Sequence, residues 1–387
     1  MRAKCFAVAA AGTALVLLWL ALTVRFNYGG NWTGLYCTGA NQPVPRHLIS
    51  ETIYAQSLSG GYDGQFYHYI AHDPLGRTRL REYIDAPQLR YRRILVPGLA
   101  YLVAVGQGRF IDAAYFTVVL GCVFLGCYWT SRFAVLHRRH PLWGLLFLAM
   151  PAVPISIDRM TVDVALAALC VGFAVFAAEG RSRPLFLLLI AAPLARETGL
   201  ALTAAYCLWA LLRKDGRRAI FGALSVLPFA AWCLYVQLHF GAQGFGWLSA
   251  QFLRDLAGIV LHPYPYPWGP VKNAVVISAD LLALAGCLAA IGLAFRFGVK
   301  RSGTLLECMV LVEGVVGLGL ALFGSRDVWV QAYGYARVLS PLLVFLALRS
   351  LKRRSWSDLA PVLLVLPRIG MQVFPQVVAI FRGLVSL

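Results

Sequence analysis

This sequence contains few charged residues. Only 13% of its 387 residues are Asp, Glu, Lys or Arg, whereas 59% are hydrophobic, and the mean hydropathy is +0.69. Soluble domains carry about a quarter charged residues, so this scarcity excludes an ordinary soluble protein. Several apolar runs reach the roughly 20 residues of a spanning helix, and they are continuous, whereas outer-membrane barrel strands alternate. The composition predicts an all-α polytopic membrane protein.

Sequence motifs for metal, nucleotide and disulfide chemistry are also missing. The chain has no P-loop, no dinucleotide fingerprint, no HExxH helix and no CxxC pair. Most of its nine cysteines lie singly inside apolar runs, where they are typical small buried residues. We therefore expect no disulfide framework, no zinc site and no cofactor. A divalent metal is compatible with the sequence but not indicated by it.

Acidic residues are rarer than basic ones, with 17 Asp and Glu against 35 Lys and Arg. The net charge of +18 is not gathered into one patch, so no nucleic-acid partner is expected. Short basic clusters instead separate the apolar runs, as cytoplasmic loops do. They are MRAK at the N-terminus, HRRH (137–140), GRSR (180–183), RKDGRR (213–218), RFGVKR (296–301) and LKRR (351–354). This pattern predicts a multi-pass chain with a cytoplasmic N-terminus.

Placing every basic cluster in the cytoplasm predicts ten transmembrane helices and an eleventh apolar stretch. The first run is too long for a signal peptide and lacks a small-x-small cleavage site, so we expect it to be retained. The predicted helices are 5–24, 110–135, 141–156, 161–178, 184–195, 198–212, 219–239, 274–296, 303–323 and 338–350, and prolines 367 and 375 break the stretch 359–387.

A single membrane domain, 1–387, follows from this layout. Its parts are the first transmembrane helix (1–24), a long first external loop (25–109), the transmembrane bundle (110–350), and a cytoplasmic basic turn with the C-terminal apolar segment (351–387). The apolar segment 94–106 is too short to cross and contains Pro97. We therefore expect it to be an interfacial or re-entrant helix of the external loop.

The first external loop holds an unusually polar stretch, GYDGQFYHYIAHDP (61–74). A short interfacial helix is predicted from Gly64 to His72, because Asp73 precedes a proline and so disfavours the helical conformation. Asp63 at its start has two open interpretations. It is either an N-cap, which is a common role for aspartate, or a carboxylate that meets substrate. The downstream segment YIDAPQLRYRR (83–93) adds three arginines, which suit an anionic lipid.

These segments resemble those of a known enzyme class. YDGQFYHYIAHDP followed by DAPQLRYRRILVPGLAYLVA is similar to the first external loop of GT-C integral-membrane glycosyltransferases. The similarity is to bacterial relatives of the GPI mannosyltransferase and protein O-mannosyltransferase group. SIDRMTVDVALAAL (156–169), the RET turn (196–198) and YGYARVLSPLL (333–343) fit the class in the same order. The resemblance covers roughly the first 215 residues and the stretch around Arg337.

The resemblance implies a function and a site. It implies a GT-C-like bundle in a bacterial inner or plasma membrane that transfers a hexose or pentose, with inversion, from a polyprenyl-phosphate donor to an unknown glycan, lipid or protein acceptor. Asp63 would be the catalytic base or would position the acceptor hydroxyl. Arg337, with help from Arg92 or Arg93, would hold the donor phosphate. The residues expected to bind substrate are Tyr62, Gln65, Tyr67, Asp158, Arg159 and Glu197.

Structural roles compete with several of these assignments. Asp163 and Arg159 are spaced as an ordinary (i, i+4) helix pair, and Glu197 is placed to complement a helix dipole. Three further carboxylates, Asp280, Glu307 and Glu313, fall inside predicted spans, where charge is costly. They are the feature that favours the alternative of a transporter or lipid flippase, although no convincing internal repeat supports it. A non-catalytic scaffold with the same fold is the third possibility.

Overall fold

The computed structural model describes residues 1–45, 48, 52–241, 253–266, 269–298 and 303–386. Within these ranges the chain is almost entirely helical. The only strands there are a two-residue parallel pair in the first loop, β1 (Thr38–Gly39) and β2 (Ala55–Gln56). The predicted external segment 242–273 lies partly outside the described residues.

The first helix and the first loop together contain four α-helices. They are α1 (Arg2–Asn27), α2 (Asp63–His72), α3 (Pro87–Arg92) and α4 (Leu95–Val103). Short 3-10 helices cover Trp32–Tyr36, Arg79–Tyr83 and Gly108–Phe110. The predicted helix in the polar stretch is therefore present, and the segment 94–106 forms a nine-residue helix, which is too short to cross a bilayer.

The rest of the chain forms a helical bundle. Its helices are α5 (Ile111–Leu136), α6 (Ala152–Arg159), α7 (Asp163–Ala178), α8 (Ser182–Ala195), α9 (Leu200–Leu212), α10 (Gly216–Leu224), α11 (Leu227–Phe240), α12 (Arg254–Leu261), α13 (Pro270–Gly298), α14 (Leu305–Phe323), α15 (Arg326–Trp329), α16 (Ala332–Val338), α17 (Ser340–Arg353) and α18 (Ala360–Val385). Further 3-10 helices cover Pro141–Ala149, Glu197–Gly199 and Trp356–Asp358.

Six helical segments in the described residues are long and apolar enough to cross a membrane. The number rises to eight if two helix pairs, each bent by 60°, are counted as single spans. Three other predicted spans form shorter apolar helices of 10–17 residues, below the length of the six candidate spans. They are α7, α8 and the segment Glu197–Leu212. The predicted all-α, multi-pass architecture is confirmed, and the exact count of ten or eleven spans stays a prediction.

The C-terminal stretch differs from its prediction. Pro367 and Pro375 lie inside one continuous helix, α18, and do not break it. A proline removes one backbone hydrogen bond, but neighbouring helices compensate in a packed membrane protein. Here α18 packs along α13 and α1, and this tertiary contact outweighs the local preference of proline.

The centre of the bundle is formed by α7 and α17, which contact each other and bury nearly every residue. Apart from Asp163 at its start, α7 is apolar on all sides, as expected of a helix in such a position. One end of this pair carries the polar groups of interest, because α7 begins at Asp163 and α17 follows the short helix α16 that holds Arg337. The core therefore fixes two distant parts of the sequence near each other.

The first loop is attached to this end by close backbone packing. A Cβ atom at Gly64 would overlap the carbonyl oxygen of Arg159, so only glycine lets the start of α2 approach the end of α6. α2 also packs against α3, α4 and α5. These contacts set the position of Asp63 relative to the bundle.

Candidate functional site

A cavity of about 200 Å³ lies where the first loop meets the bundle. Four arginines and three carboxylates line it within the described part of the chain, together with smaller and apolar residues. Its lining consists of Asp63, Leu89, Arg90, Arg93, Arg196, Glu197, Thr198, Leu320, Asp327, Val328, Gly334, Arg337 and Val338. The cavity thus gathers Asp63, Arg93, Glu197 and Arg337, which the sequence analysis selected from four separate segments.

Asp63 is held in this cavity by two guanidinium groups. Its Oδ2 lies 2.7 Å from Arg337 Nη1 and 2.9 Å from Arg90 Nη1. Asp63 is the first residue of α2, and Tyr62 occupies the N-cap position, so the N-cap interpretation of Asp63 is wrong. Burial alone would raise the pKa of the Asp63 carboxyl, but Arg337 and Arg90 outweigh it and hold that pKa well below its usual range. The carboxylate is therefore ionised at neutral pH.

Arg337 connects Asp63 to a second carboxylate. Its Nε lies 3.6 Å from Asp163 Oδ2, and its Cζ lies 5.4 Å from the centre of the Tyr62 ring. Asp163 also forms a buried ion pair with Arg196. The predicted Arg159–Asp163 helix pair is absent, because Met160 adopts a left-handed conformation that separates α6 from α7. Asp163 therefore belongs to the surroundings of the cavity, although the sequence slightly favoured a local helix role for it.

Arg93 forms a further buried ion pair at the cavity. Its guanidinium donates two hydrogen bonds to Glu197, with Nε–Oε2 and Nη2–Oε1 distances of 2.9 and 2.6 Å. Arg93 Nη1 donates a third to the Tyr67 hydroxyl, at 3.0 Å. This two-pronged geometry holds the guanidinium plane in one orientation. Tyr67 therefore contacts an arginine of the cavity, and it does not line the cavity itself.

Arg90 and Arg196 are the cavity arginines that the sequence did not predict as site residues. Arg90 and Arg93 are three residues apart, so they share one face of the helical turn, and both line the cavity. Arg92 falls on a different face and does not line it. The bounds of α3 were the missing signal, since a helix starting at Pro87 selects the pair Arg90 and Arg93 over the adjacent pair Arg92 and Arg93.

Asp158 and Arg159 lie in a neighbouring network and do not line the cavity. Arg159 Nε donates to Asp158 Oδ2 at 2.8 Å, and the Tyr333 hydroxyl donates to the same oxygen at 3.2 Å. Gln376 of α18 donates to the other oxygen of Asp158. Tyr62 joins the two networks, because its ring centre is 5.6 Å from Arg159 Cζ as well as near Arg337. Asp158 therefore fastens α6, α16 and α18 together.

Gln65 also has backbone partners. Its Oε1 accepts a hydrogen bond from the Gly39 N–H at 3.2 Å, and its Nε2 donates to the Gly60 carbonyl at 3.1 Å. The side chain is buried and shapes the turn ahead of α2, so the structure places it outside the cavity. Of the six residues predicted to bind substrate, Glu197 alone lines the cavity.

A larger cavity, of about 460 Å³, lies elsewhere in the bundle. Its lining includes His137, Arg213, Arg218 and Lys352, which belong to the basic clusters between the helices, and no carboxylate among the described residues. Arg139 Nε also donates to the Leu351 carbonyl, so two of the basic clusters contact each other directly. Larger volume does not make this cavity the better candidate, since its described lining lacks a carboxylate to pair with its basic residues.

The smaller cavity is suited to binding an anion. Guanidinium groups outnumber carboxylates in its wall, and they are oriented by their ion pairs before any ligand enters. An incoming phosphate would compete with Asp63 and Glu197 for these groups.

Comparisons of the chain with protein-family models, curated proteins and solved structures found no match.

Proposed function

We propose that this multi-pass membrane protein is an inverting glycosyltransferase. It takes a sugar from a polyprenyl-phosphate donor and transfers it to an acceptor at the external face of a bacterial inner or plasma membrane. The observation that carries the proposal is the contact between Asp63 and Arg337, which come from opposite parts of the chain and meet in the wall of one cavity. Such a transfer requires a base for the acceptor hydroxyl and positive charge for the leaving phosphate. Asp63 supplies the base, and Arg337 supplies the positive charge.

The arginines act on the donor phosphate. Arg337, Arg90 and Arg93 surround the space beside Asp63, and planar guanidinium groups bind phosphate oxygens in pairs. When the bond between the sugar and the phosphate oxygen breaks, the leaving polyprenyl phosphate departs as a stable anion. No general acid is needed, in contrast to glycoside hydrolysis, which uses two carboxylates. Fixed positive charge on the departing oxygen stabilises the transition state.

Asp63 accepts the proton of the acceptor hydroxyl. A carboxylate paired with two guanidinium groups is a weak base, which matches its lowered pKa in the protein without ligand. A bound phosphate draws these guanidinium groups toward itself and adds a nearby negative charge, and both effects raise the basicity of Asp63. The donor therefore binds first and makes the base competent. The acceptor oxygen then forms its bond to the sugar as the proton passes to Asp63.

Transfer activity in proteoliposomes tests this function. The purified chain would be supplied with polyprenyl-phosphate hexoses and pentoses that carry a radiolabelled sugar, in an extract of envelope acceptors. Asp63→Asn is expected to abolish transfer while binding to undecaprenyl phosphate persists. Glu82→Gln, an exposed acid of the same loop, is the matched control and should keep full activity. A fully active Asp63→Asn protein would overturn the proposal.

Transport of a lipid-linked saccharide is the second candidate, since it would use charges within the spans. Asp280 pairs with Arg368, and Glu307 pairs with Arg353. Glu313 is buried in α14, and no ion pair to it is seen among the described residues. Movement of a labelled lipid across proteoliposomes without product would favour transport. Loss of stability alone in Asp63→Ala would favour a scaffold.

A further inference from the structure

Two histidines of α2 and an aspartate of α5 meet outside the cavity. His68 and His72 are four residues apart on α2, and Asp112 lies in the first turn of α5. Their ligand atoms, one from each residue, all lie within 4.8 Å of one another. No zinc site was expected from the sequence, because it contains no metal-ligand motif. Asp112 lies beyond the first loop, and only the fold brings it to the histidines.

The spacing of these atoms matches a metal site. His68 Nε2 lies 3.3 Å from His72 Nε2 and 2.9 Å from Asp112 Oδ1. Ligand atoms bound tetrahedrally to Zn²⁺ at about 2.0 Å are roughly 3.3 Å apart. The His68–His72 distance matches this value, and the His68–Asp112 distance is a few tenths of an ångström shorter.

The His68 ring nitrogen lies at the centre of this cluster. A histidine ring nitrogen carries either one proton or one lone pair in the plane of the ring. His68 Nε2 lies within hydrogen-bond distance of both His72 Nε2 and Asp112 Oδ1. A cation at this place would accept one lone pair from each of the three atoms.

The surroundings fit a site that is firmly held but accessible. His68 is fully buried and its ring stacks on Tyr36, with the ring centres 4.1 Å apart and the planes 9° from parallel. The Asp112 side chain is 28% exposed, and His72 is half-buried, so an ion and a water molecule can enter from their side. Three protein ligands and one open position are a common arrangement for zinc.

We propose that His68, His72 and Asp112 bind Zn²⁺. The ion ties α2 to the start of α5 and so fixes the helix whose first residue is Asp63. Two imidazoles and a carboxylate favour Zn²⁺ over Mg²⁺ or Ca²⁺, which prefer oxygen ligands. The site does not depend on the proposed transfer reaction, since none of its three residues lines the cavity.

Metal binding by the full-length protein in detergent tests the site. The protein would be stripped with EDTA, freed of any affinity tag, and titrated with Zn²⁺ by calorimetry and with Co²⁺ by visible absorption. The unaltered chain is expected to bind one equivalent, with the Co²⁺ spectrum of a tetrahedral site. His72→Gln and Asp112→Asn should each weaken binding by about tenfold or more, since even outer partners of a metal site contribute that much.

The control variant is His239→Gln, which changes an exposed histidine far from the cluster in sequence and should bind Zn²⁺ as the unaltered chain does. Stability provides a second measurement, because an ion bound to the folded state raises the melting temperature. Zn²⁺ should raise it in the unaltered chain and in His239→Gln but not in His72→Gln. Equal Zn²⁺ affinity in all four proteins would overturn the site, and tighter binding of Fe²⁺ than of Zn²⁺ would overturn the choice of metal.

Discussion

Arg337 Nη1 lies 2.7 Å from Asp63 Oδ2, and the same arginine reaches Asp163 through its Nε. One guanidinium thus joins the first loop, the start of α7 and the short helix α16. The contact has two consequences in the absence of substrate. It keeps Asp63 ionised, and it keeps Arg337 oriented toward the cavity before a phosphate binds.

Replacing Arg337 should weaken donor binding. Arg337→Gln removes one of the guanidinium groups beside Asp63 and leaves the carboxylates less compensated. We therefore expect the affinity for undecaprenyl phosphate to fall by about tenfold or more. This is the effect of losing one charge-assisted contact of about 1.5–3 kcal/mol. Arg337→Lys should recover only part of it, because an ammonium cannot bind two oxygens in one plane. Native mass spectrometry or tryptophan quenching would measure the affinity. Arg326→Gln, at an exposed arginine of α15, is the control, and equal loss in both variants would contradict a specific role for Arg337.

The fold should depend on Arg93 and Glu197 being present together, because each charge compensates the other in a buried place. Both side chains are largely buried, with 5% and 17% of their side-chain surfaces exposed. Glu197→Gln leaves a buried guanidinium without its counter-charge and should destabilise the fold by about 3 kcal/mol. The double variant Arg93→Gln with Glu197→Gln should cost less than the two single changes together. Thermal unfolding in detergent would measure the cycle, and additive losses would show that the two groups are independent.

Gly64 should be required for the position of Asp63. A side chain there overlaps the Arg159 carbonyl, so Gly64→Ala must push the start of α2 away from α6. We expect a lower melting temperature together with loss of the donor affinity that depends on the cavity. Gly60→Ala is the matched control, since a Cβ at Gly60 meets no atom within 4 Å. Unchanged behaviour of Gly64→Ala would mean that the loop is not held as closely as this packing implies.

Much of this architecture could be predicted from the chain itself. The apolar runs predicted α1, α5, α13 and α14 because a membrane helix must satisfy its backbone internally over a fixed length. The polar stretch also predicted α2 correctly. Assigning the basic clusters to one membrane side grouped Asp63, Glu197 and Arg337 on the other, and these residues line the same cavity.

Features that depend on where helices start, stop and pack could not be predicted. Arg90 replaces Arg92 in the cavity because α3 begins at Pro87. The left-handed turn at Met160 releases Asp163 from Arg159 and lets it meet Arg196. Asp112 reaches the histidines only because the first turn of α5, which contains it, packs beside α2. Each case depends on tertiary packing, which a local pattern does not contain.

The orientation of the protein in the membrane is open to direct labelling. Leu58 is 95% exposed in the first loop, and Arg217 of the basic cluster 213–218 is exposed in the first turn of α10. If the basic clusters are cytoplasmic, Leu58→Cys should react in intact cells with a thiol reagent that cannot cross the membrane. Arg217→Cys should react with it only after the cells are opened. Labelling would be measured as the increase over the unaltered chain, whose nine native cysteines set the background. Reaction of Arg217→Cys in intact cells, with protection of Leu58→Cys, would place the cavity on the cytoplasmic side and would contradict an external transferase.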